Sequence, residues 1–347
     1  MTHARSFVAA LVAAFVASSS AFAQIPALTF NQTKLGQAGM KFLEIGQSAR
    51  AEGMGGAVTG LEMGAASMFY NPAGLANTAG KCNDVYLAHT EWAADVALNA
   101  VAVARNTPWG VFGVSAMAVD YGTVKGYQMT VSGAVTSLGN LDLSSMAIGV
   151  GAARKVTDKF QIGLAGRYAV EDLGLVNSSG SKTSVFVFDA GTLYRTGVGS
   201  SVLSMSIRNF SRQARHQDEG YDLPLIFRIG LAADLLNMTD MPSDNMSSLV
   251  VSADALHPRD RAEELVIGAE YGLMQEVFLR GAFRTGRDYA NFVPKVSTTP
   301  PMTTSLVSLG AGIRHTIGPT AVGVNYAWSN AGSLLGSVHR FDVQVGF

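Results

Sequence analysis

The stretch Gln161-Ile162-Gly163-Leu164-Ala165-Gly166-Arg167-Tyr168-Ala169-Val170-Glu171 decides the fold. Ile162, Leu164, Tyr168 and Val170 fall on one phase. Gln161, Gly163, Ala165, Arg167, Ala169 and Glu171 fall on the other. A period of two sends the phases to opposite faces of a strand. One face is therefore apolar, and the other is small with isolated charges. A water-soluble sheet would fill its polar face with Lys, Glu and Thr. A face of Gly, Ala and sparse charges of both signs instead fits the crowded interior of a closed barrel whose apolar outside meets lipid.

The pattern recurs along the chain. Leu225-Phe227-Ile229-Leu231 alternates with Ile226-Arg228-Gly230-Ala232, and Val307-Leu309-Ala311-Ile313 alternates with Ser308-Gly310-Gly312-Arg314. Val322-Val324-Tyr326-Trp328 and Phe341-Val343-Val345-Phe347 repeat it. Fourteen segments are expected as strands: 83–92, 95–105, 109–121, 143–156, 158–172, 183–196, 199–210, 223–235, 247–258, 262–273, 276–287, 303–316, 319–329 and 337–347. An even count is what single-chain bacterial barrels use, and most segments reach the ~9–11 residues a tilted spanning strand needs. If the first strand runs outward, all the inner connections but Leu236–Met246 are tight turns, such as Thr157-Asp158 and Ile317-Gly318, and several outer loops are long, at 122–142, 173–182, 211–222 and 288–302, while 259–261 is short. That asymmetry matches short periplasmic turns and long outer loops. The expected fold is an all-β transmembrane protein: a 14-stranded antiparallel outer-membrane β-barrel with an N-terminal luminal hatch containing short helices.

Composition agrees. Of 347 residues only 15% are charged, against roughly 25% in soluble domains, while 48% are hydrophobic and 38 are glycine. A Lys or Arg facing the bilayer midplane costs about 2–4 kcal/mol, so the outer face of each strand excludes charge. The net charge of −1 excludes the electrostatic footprint of a nucleic-acid binder. One cysteine, Cys82, excludes an internal disulfide or a zinc cluster.

The first 23 residues read as a signal peptide. Arg5 precedes an apolar stretch from Phe7 to Ala17, and Ala21-Phe22-Ala23 is a small-x-small cleavage site, so export follows with cleavage after Ala23. An 11-residue apolar stretch is too short to span ~30 Å of hydrocarbon. Residues 24–82 are too few for a domain with their own core, and are expected to plug the lumen of the barrel at 83–347. The chain ends on the outward phase of its last strand. Phe341, Val343, Val345 and Phe347 are expected to be the signal that the barrel assembly machinery reads.

The hatch segment carries two motifs, Ser48-Ala49-Arg50-Ala51-Glu52-Gly53-Met54-Gly55-Gly56-Ala57 and Asn71-Pro72-Ala73-Gly74-Leu75-Ala76. With Leu223–Ala232 and the terminal stretch Tyr326-Ala327-Trp328, Gly332, Leu334-Leu335-Gly336 and His339-Arg340-Phe341, the chain resembles the PorV/PorQ family of outer-membrane proteins from about residue 40 to its end. The resemblance implies a barrel similar to the FadL long-chain fatty-acid transporters. It also implies a role in type IX protein secretion, with cargo domains or sortase components docking on the outer loops. The structural residues of the hatch motif are then Arg50, Gly53, Met54, Gly55, Gly56, Asn71, Pro72 and Gly74.

The alternative is passive transport of hydrophobic small molecules or fatty acids, as in FadL. Phe42, Leu43, Met54, Met68 and Phe69 are its candidate ligand contacts, and ordinary plug packing is the simpler reading of the same five residues. An enzyme in the barrel wall is disfavoured. No Gly-x-Ser-x-Gly elbow is present, and His89, His216, His257, His315 and His339 lack metal-like spacing. Gly53-x-Gly55-x-x-Val58 lacks the βαβ context of a nucleotide fingerprint. No catalytic residue, metal or cofactor is expected. The expected partners are outer-membrane lipid, the assembly machinery, secretion components and a hydrophobic ligand, with no nucleic acid. The inward-phase charges, among them Arg167, Asp189, Arg208, Arg228, Asp254, Glu270, Arg280, Arg340 and Asp342, are expected to pair with one another or with the hatch, since buried charges left unpaired are costly.

Overall fold

The computed structural model describes residues 38–347 except 79, 131–132, 175–181, 217–218, 237–246, 262, 286–305 and 331–335. The expected signal peptide, residues 24–37, the loop at 288–302 and Gly332, Leu334 and Leu335 lie outside the described residues.

Eighteen strands are described: β1 (Asn83–Glu91), β2 (Ala97–Thr107), β3 (Gly110–Asp120), β4 (Val124–Met129), β5 (Val135–Leu141), β6 (Ser144–Lys155), β7 (Phe160–Asp172), β8 (Lys182–Arg195), β9 (Val202–Phe210), β10 (Ala214–His216), β11 (Glu219–Tyr221), β12 (Ile226–Asp234), β13 (Ser247–Pro258), β14 (Glu264–Leu273), β15 (Val277–Arg284), β16 (Leu306–Ile317), β17 (Thr320–Asn330) and β18 (Ser337–Gly346). Fourteen of them close one antiparallel barrel in the order β1, β2, β3, β6, β7, β8, β9, β12 to β18 and back to β1. No boundary of the fourteen expected strands differs from the observed one by more than three residues. Two short hairpins, β4–β5 and β10–β11, form sheets of their own outside the barrel ladder. They fall in loops that carry no period-two apolar signal, and Gln213–Glu219 in particular reads only as a charged loop.

The register confirms the phase assigned from sequence. Ile162, Leu164, Phe227, Ile229, Leu309, Ile313, Val324 and Phe341 are exposed on the outside of the wall. Arg167, Asp189, Arg208, Arg228, Asp254, Glu270, Arg280, Arg340 and Asp342 are buried within it. Arg314, on the same phase near the short-turn end, is exposed. Between β8 and β9 the register shifts at Phe188/Ala190. Such a bulge re-aims a side chain. Asp189 takes Arg167 Nη2 at 2.7 Å and the backbone amide of Asn209 at 2.7 Å.

The bore is not empty. Residues 38–78 run through it from the long-loop end to the short-turn end, where the chain enters β1. At the long-loop end Lys41 Nζ lies 2.6 Å from Asp260, and Arg261 Nη1 lies 2.7 Å from Glu44. The segment forms a 3₁₀ turn (Lys41–Glu44), one short α-helix, α1 (Ala49–Gly53), and two more 3₁₀ turns (Gly64–Phe69 and Pro72–Ala76). Its large side chains, including Met40, Leu43, Met54, Met68 and Leu75, are fully buried. Each contributes about 1.5–3 kcal/mol relative to exposure. Room for them comes from the wall. The inward phase of β2 is Leu98, Ala100, Ala102 and Ala104, and all four are buried against the segment.

Candidate functional site: the luminal hatch and the pocket at its mouth

A segment without regular structure brings unpaired backbone groups into a buried space, and each must find a partner. The inward charges of the wall supply them. Ser48 caps α1, its Oγ accepting from the Ala51 amide at 3.2 Å. Asp342 of β18 receives the same helix end. Its Oδ2 accepts from Ser48 Oγ at 3.0 Å, the Ala49 amide at 2.7 Å, the Arg50 amide at 3.3 Å and Tyr86 Oη at 3.1 Å. Its Oδ1 accepts from Asn325 Nδ2 at 2.6 Å.

The glycines of the motif have two jobs. After α1 the chain reverses through Gly55 and Gly56, both with positive φ (66° and 83°), where side chains are disfavoured. The turn aims two carbonyls at wall arginines: Arg284 Nη2 donates to Gly55 O, and Arg228 Nη1 donates to Gly56 O at 3.0 Å. Gly53 instead permits close approach, since a Cβ there would sit 3.1 Å from Gly310 Cα of β16. Met54 is fully buried with its backbone against Gly268 of β14.

Further along, Asp254 of β13 takes the Thr59 amide at 3.0 Å and Thr59 Oγ1 at 2.6 Å. Asp84 of β1 takes the Ala65 amide at 2.7 Å, and Gln344 Nε2 donates to Met63 O at 3.0 Å. Asn71 caps the last turn, with Oδ1 accepting from the Ala73 amide at 3.1 Å and Nδ2 donating to Thr59 O at 2.8 Å. Pro72 occupies the first helical position, where no amide donor is needed. This turn sits in a notch of the wall: a Cβ on Gly163 would meet the Pro72 and Ala73 backbone, and one on Gly191 would meet Asn71 Oδ1. Gly74 packs against Ser67 and Leu61 O within the hatch itself.

Two charged groups tie the centre of the hatch. Arg50 is bidentate to Glu270, with Nε at 2.9 Å and Nη2 at 2.7 Å, and Glu270 also takes Arg280 Nε at 2.6 Å. Glu52 accepts from Tyr70 Oη at 3.3 Å and faces Arg340 at 3.8 Å. Burial alone would raise the Glu52 carboxyl; the guanidiniums of Arg340, Arg284 and Arg228 outweigh it and hold the group below the usual carboxylate range.

At the short-turn end a cavity of about 220 Å³ opens between the hatch and the wall. Leu61, Leu193, Val202, Ala232 and Val250 form its apolar side, with Arg50 and Arg195 beside them. Glu62 closes its rim, accepting from Gln161 Nε2 at 2.6 Å, Arg195 Nη2 at 2.7 Å and Asn77 Nδ2 at 2.5 Å. Of the motif residues, Arg50 alone lines this cavity. The five candidate ligand contacts, Phe42, Leu43, Met54, Met68 and Phe69, are brought together in the hatch core and line no part of it. Sequence reading missed the cavity because its lining comes from five different strands, the turn before β9 and the hatch. For Asp342 and Asp254 the inward phase and a pairing with the hatch were legible, but not the backbone amides they serve; Asp84 was not among the charges expected to point inward.

The terminal residues Phe341 and Phe347 lie exposed on the outer wall, with Val343 and Val345 half-buried between them. Among the described residues no group of three or more His, Cys, Asp or Glu side chains could hold a metal ion.

No protein-family model and no curated protein matches the chain. Solved structures do. The toluene transporter TodX of Pseudomonas putida superposes with a TM-score of 0.56 at 12% identity, over 86% of this chain and 97% of that one. The toluene transporter TbuX of Ralstonia pickettii gives 0.54 at 13% identity, with the same two shares. The monoaromatic hydrocarbon channel CymD gives 0.51 at 12%, over 87% of this chain and 98% of that one. The chain thus has the fold of the FadL-like 14-stranded barrels.

Proposed function

We propose that this protein is a non-catalytic outer-membrane channel through which small hydrophobic molecules pass passively, with residues 38–78 as its movable hatch. The observation that carries the reading is the barrel fold shared with toluene transporters and a monoaromatic hydrocarbon channel. Three features support it. The outside of the wall is an apolar band suited to lipid. The hatch is held by side-chain packing and discrete polar contacts rather than by continuation of the sheet. The cavity at its mouth, of about 220 Å³, has an apolar side formed by Leu61, Leu193, Val202, Ala232 and Val250.

On this reading the long loops face the cell exterior and the mouth cavity faces the periplasm. A solute entering from outside displaces the hatch and leaves past Glu62. Nothing in the comparisons supports the type IX secretion role implied by the PorV/PorQ resemblance, and the transport reading replaces it. The test is the initial uptake of radiolabelled toluene by cells with an intact outer membrane, with and without the chain. Faster uptake with the chain is expected; equal rates refute transport. Deleting the gene should leave the set of exported surface proteins unchanged, and loss of surface cargo would restore the secretion reading.

A further inference from the structure

The outer wall carries a second concavity, of about 630 Å³, on the strands around the seam where the barrel closes. Its origin is the register. Two outward rows cross six neighbouring strands. One runs Tyr326, Phe341, His89, Asn99, Ala118, Met146, and the row beneath it runs Val324, Val343, Leu87, Val101, Ala116, Ile148. The first row is low over β2 and β3, at Asn99 and Ala118, and the second is low over β3, at Ala116, beside Val101 of β2. The result is a trough in the long-loop half of the wall.

Its floor holds one polar pair, His89 Nδ1 and Asn99 Oδ1, 2.9 Å apart. With Oδ1 accepting from the ring N–H, Asn99 keeps its amide donors and His89 keeps an acceptor nitrogen. A donor and an acceptor side by side match a hydroxyl, which both gives and takes a hydrogen bond. Placing polar atoms on a lipid-facing wall is unfavourable unless they find partners.

We propose that the trough is a binding site for a membrane lipid whose hydrocarbon chain carries a hydroxyl group. The chain lies over Ala116 and Ala118 between the flanking Leu87 and Ile148, and the hydroxyl meets the His89–Asn99 pair. The trough is continuous with the apolar band around it, so in a membrane its occupant is an acyl chain of the adjoining leaflet. This rests on the membrane-channel reading but concerns the outside of the wall and not the bore.

The test is native mass spectrometry of the full-length barrel released from nanodiscs of phosphatidylethanolamine containing equal amounts of a 3-hydroxyacyl phosphatidylethanolamine and its unsubstituted counterpart. Retention of the hydroxylated lipid by about fivefold over the other is expected, the preference that one net hydrogen bond supplies. Asn99→Val with His89→Leu should abolish the preference and keep a bound lipid. Ala118→Phe fills the trough and should lose both lipids. Heat-modifiable migration in gels checks that each variant is folded, and Ala116→Phe replaces Ala118→Phe if that one is not. Equal retention of the two lipids, or retention indifferent to filling the trough, overturns the proposal. A barrel that does not enter the nanodiscs at all overturns the membrane reading instead.

Discussion

Asp342→Asn is the substitution that most directly weighs the hatch against the wall. The carboxylate receives three donors from the start of α1 on Oδ2 and Asn325 Nδ2 on Oδ1. An amide can serve only one of these two sets, because its NH₂ must face the other. Asn325 cannot turn over to help, since its own Oδ1 accepts from Arg280 Nη1 at 2.9 Å. Hydrogen bonds to a charged group contribute about 1.5–3 kcal/mol, against about 0.5–1.5 kcal/mol for neutral ones. Downgrading the three hatch bonds therefore costs about 3 kcal/mol. At about 1.4 kcal/mol per factor of ten, hatch opening becomes roughly 100-fold more frequent. Hydrogen exchange read by peptide mass analysis isolates the effect. Amides of residues 46–57 should exchange roughly 100-fold faster, within the reach of local opening equilibria, while β7 and β8 keep their rates. A change below about threefold, or equal acceleration in the far strands, would refute the idea that Asp342 fastens a separately opening hatch.

Gly163→Val puts a side chain where the Pro72–Ala73 backbone lies. Overpacking typically costs about 1–3 kcal/mol, so limited proteolysis should cut between residues 58 and 78 in the variant and spare the wild type. Gly166→Ala is the matched control, since its Cβ would meet only Phe188 at 3.6 Å, and it should behave as wild type. Acid should loosen the hatch through Glu52. Its carboxyl is held below its ordinary value in the fastened state, so it favours that state fully above ~pH 4.3, the value of the free group, and loses this contribution as the pH falls through the depressed range. Hatch exchange should rise with acid over that range, and Glu52→Gln should show a smaller rise from a looser starting point.

The barrel was legible because lipid on one side and a packed lumen on the other force a strict alternation. Ile162 and Leu164 can only point outward once Arg167 points in, and one strand in phase sets the hydrogen-bonded neighbour. The hairpin β4–β5 was not legible, because Val135–Leu141 mixes Ser, Gly and Asn and buries no face. In the hatch, the caps Ser48 and Asn71-Pro72 and the Gly55-Gly56 reversal were visible as local chemistry. Their wall partners, Asp342, Thr192 and Arg228, were not, since they lie more than a hundred residues away and no local pattern ties them together. Phe42 and Met68 illustrate the same limit: apolar residues in a plug read equally as ligand contacts or as packing, and only the enclosed lumen shows them packed.

The central claim is that solutes pass when the hatch moves, and a reversible tether tests it most directly. A Cβ on Gly60 would lie 3.0 Å from Ala232 Cβ, a few tenths of an ångström short of the ~3.5–4.5 Å that disulfides span. Gly60→Cys with Ala232→Cys, in a Cys82→Ser background, therefore joins hatch to wall at the mouth cavity. Uptake of toluene by cells carrying this variant should match wild type when the pair is reduced, fall to the level of cells without the chain when it is oxidised, and recover on adding a reductant. Equal uptake in the two states would contradict the account.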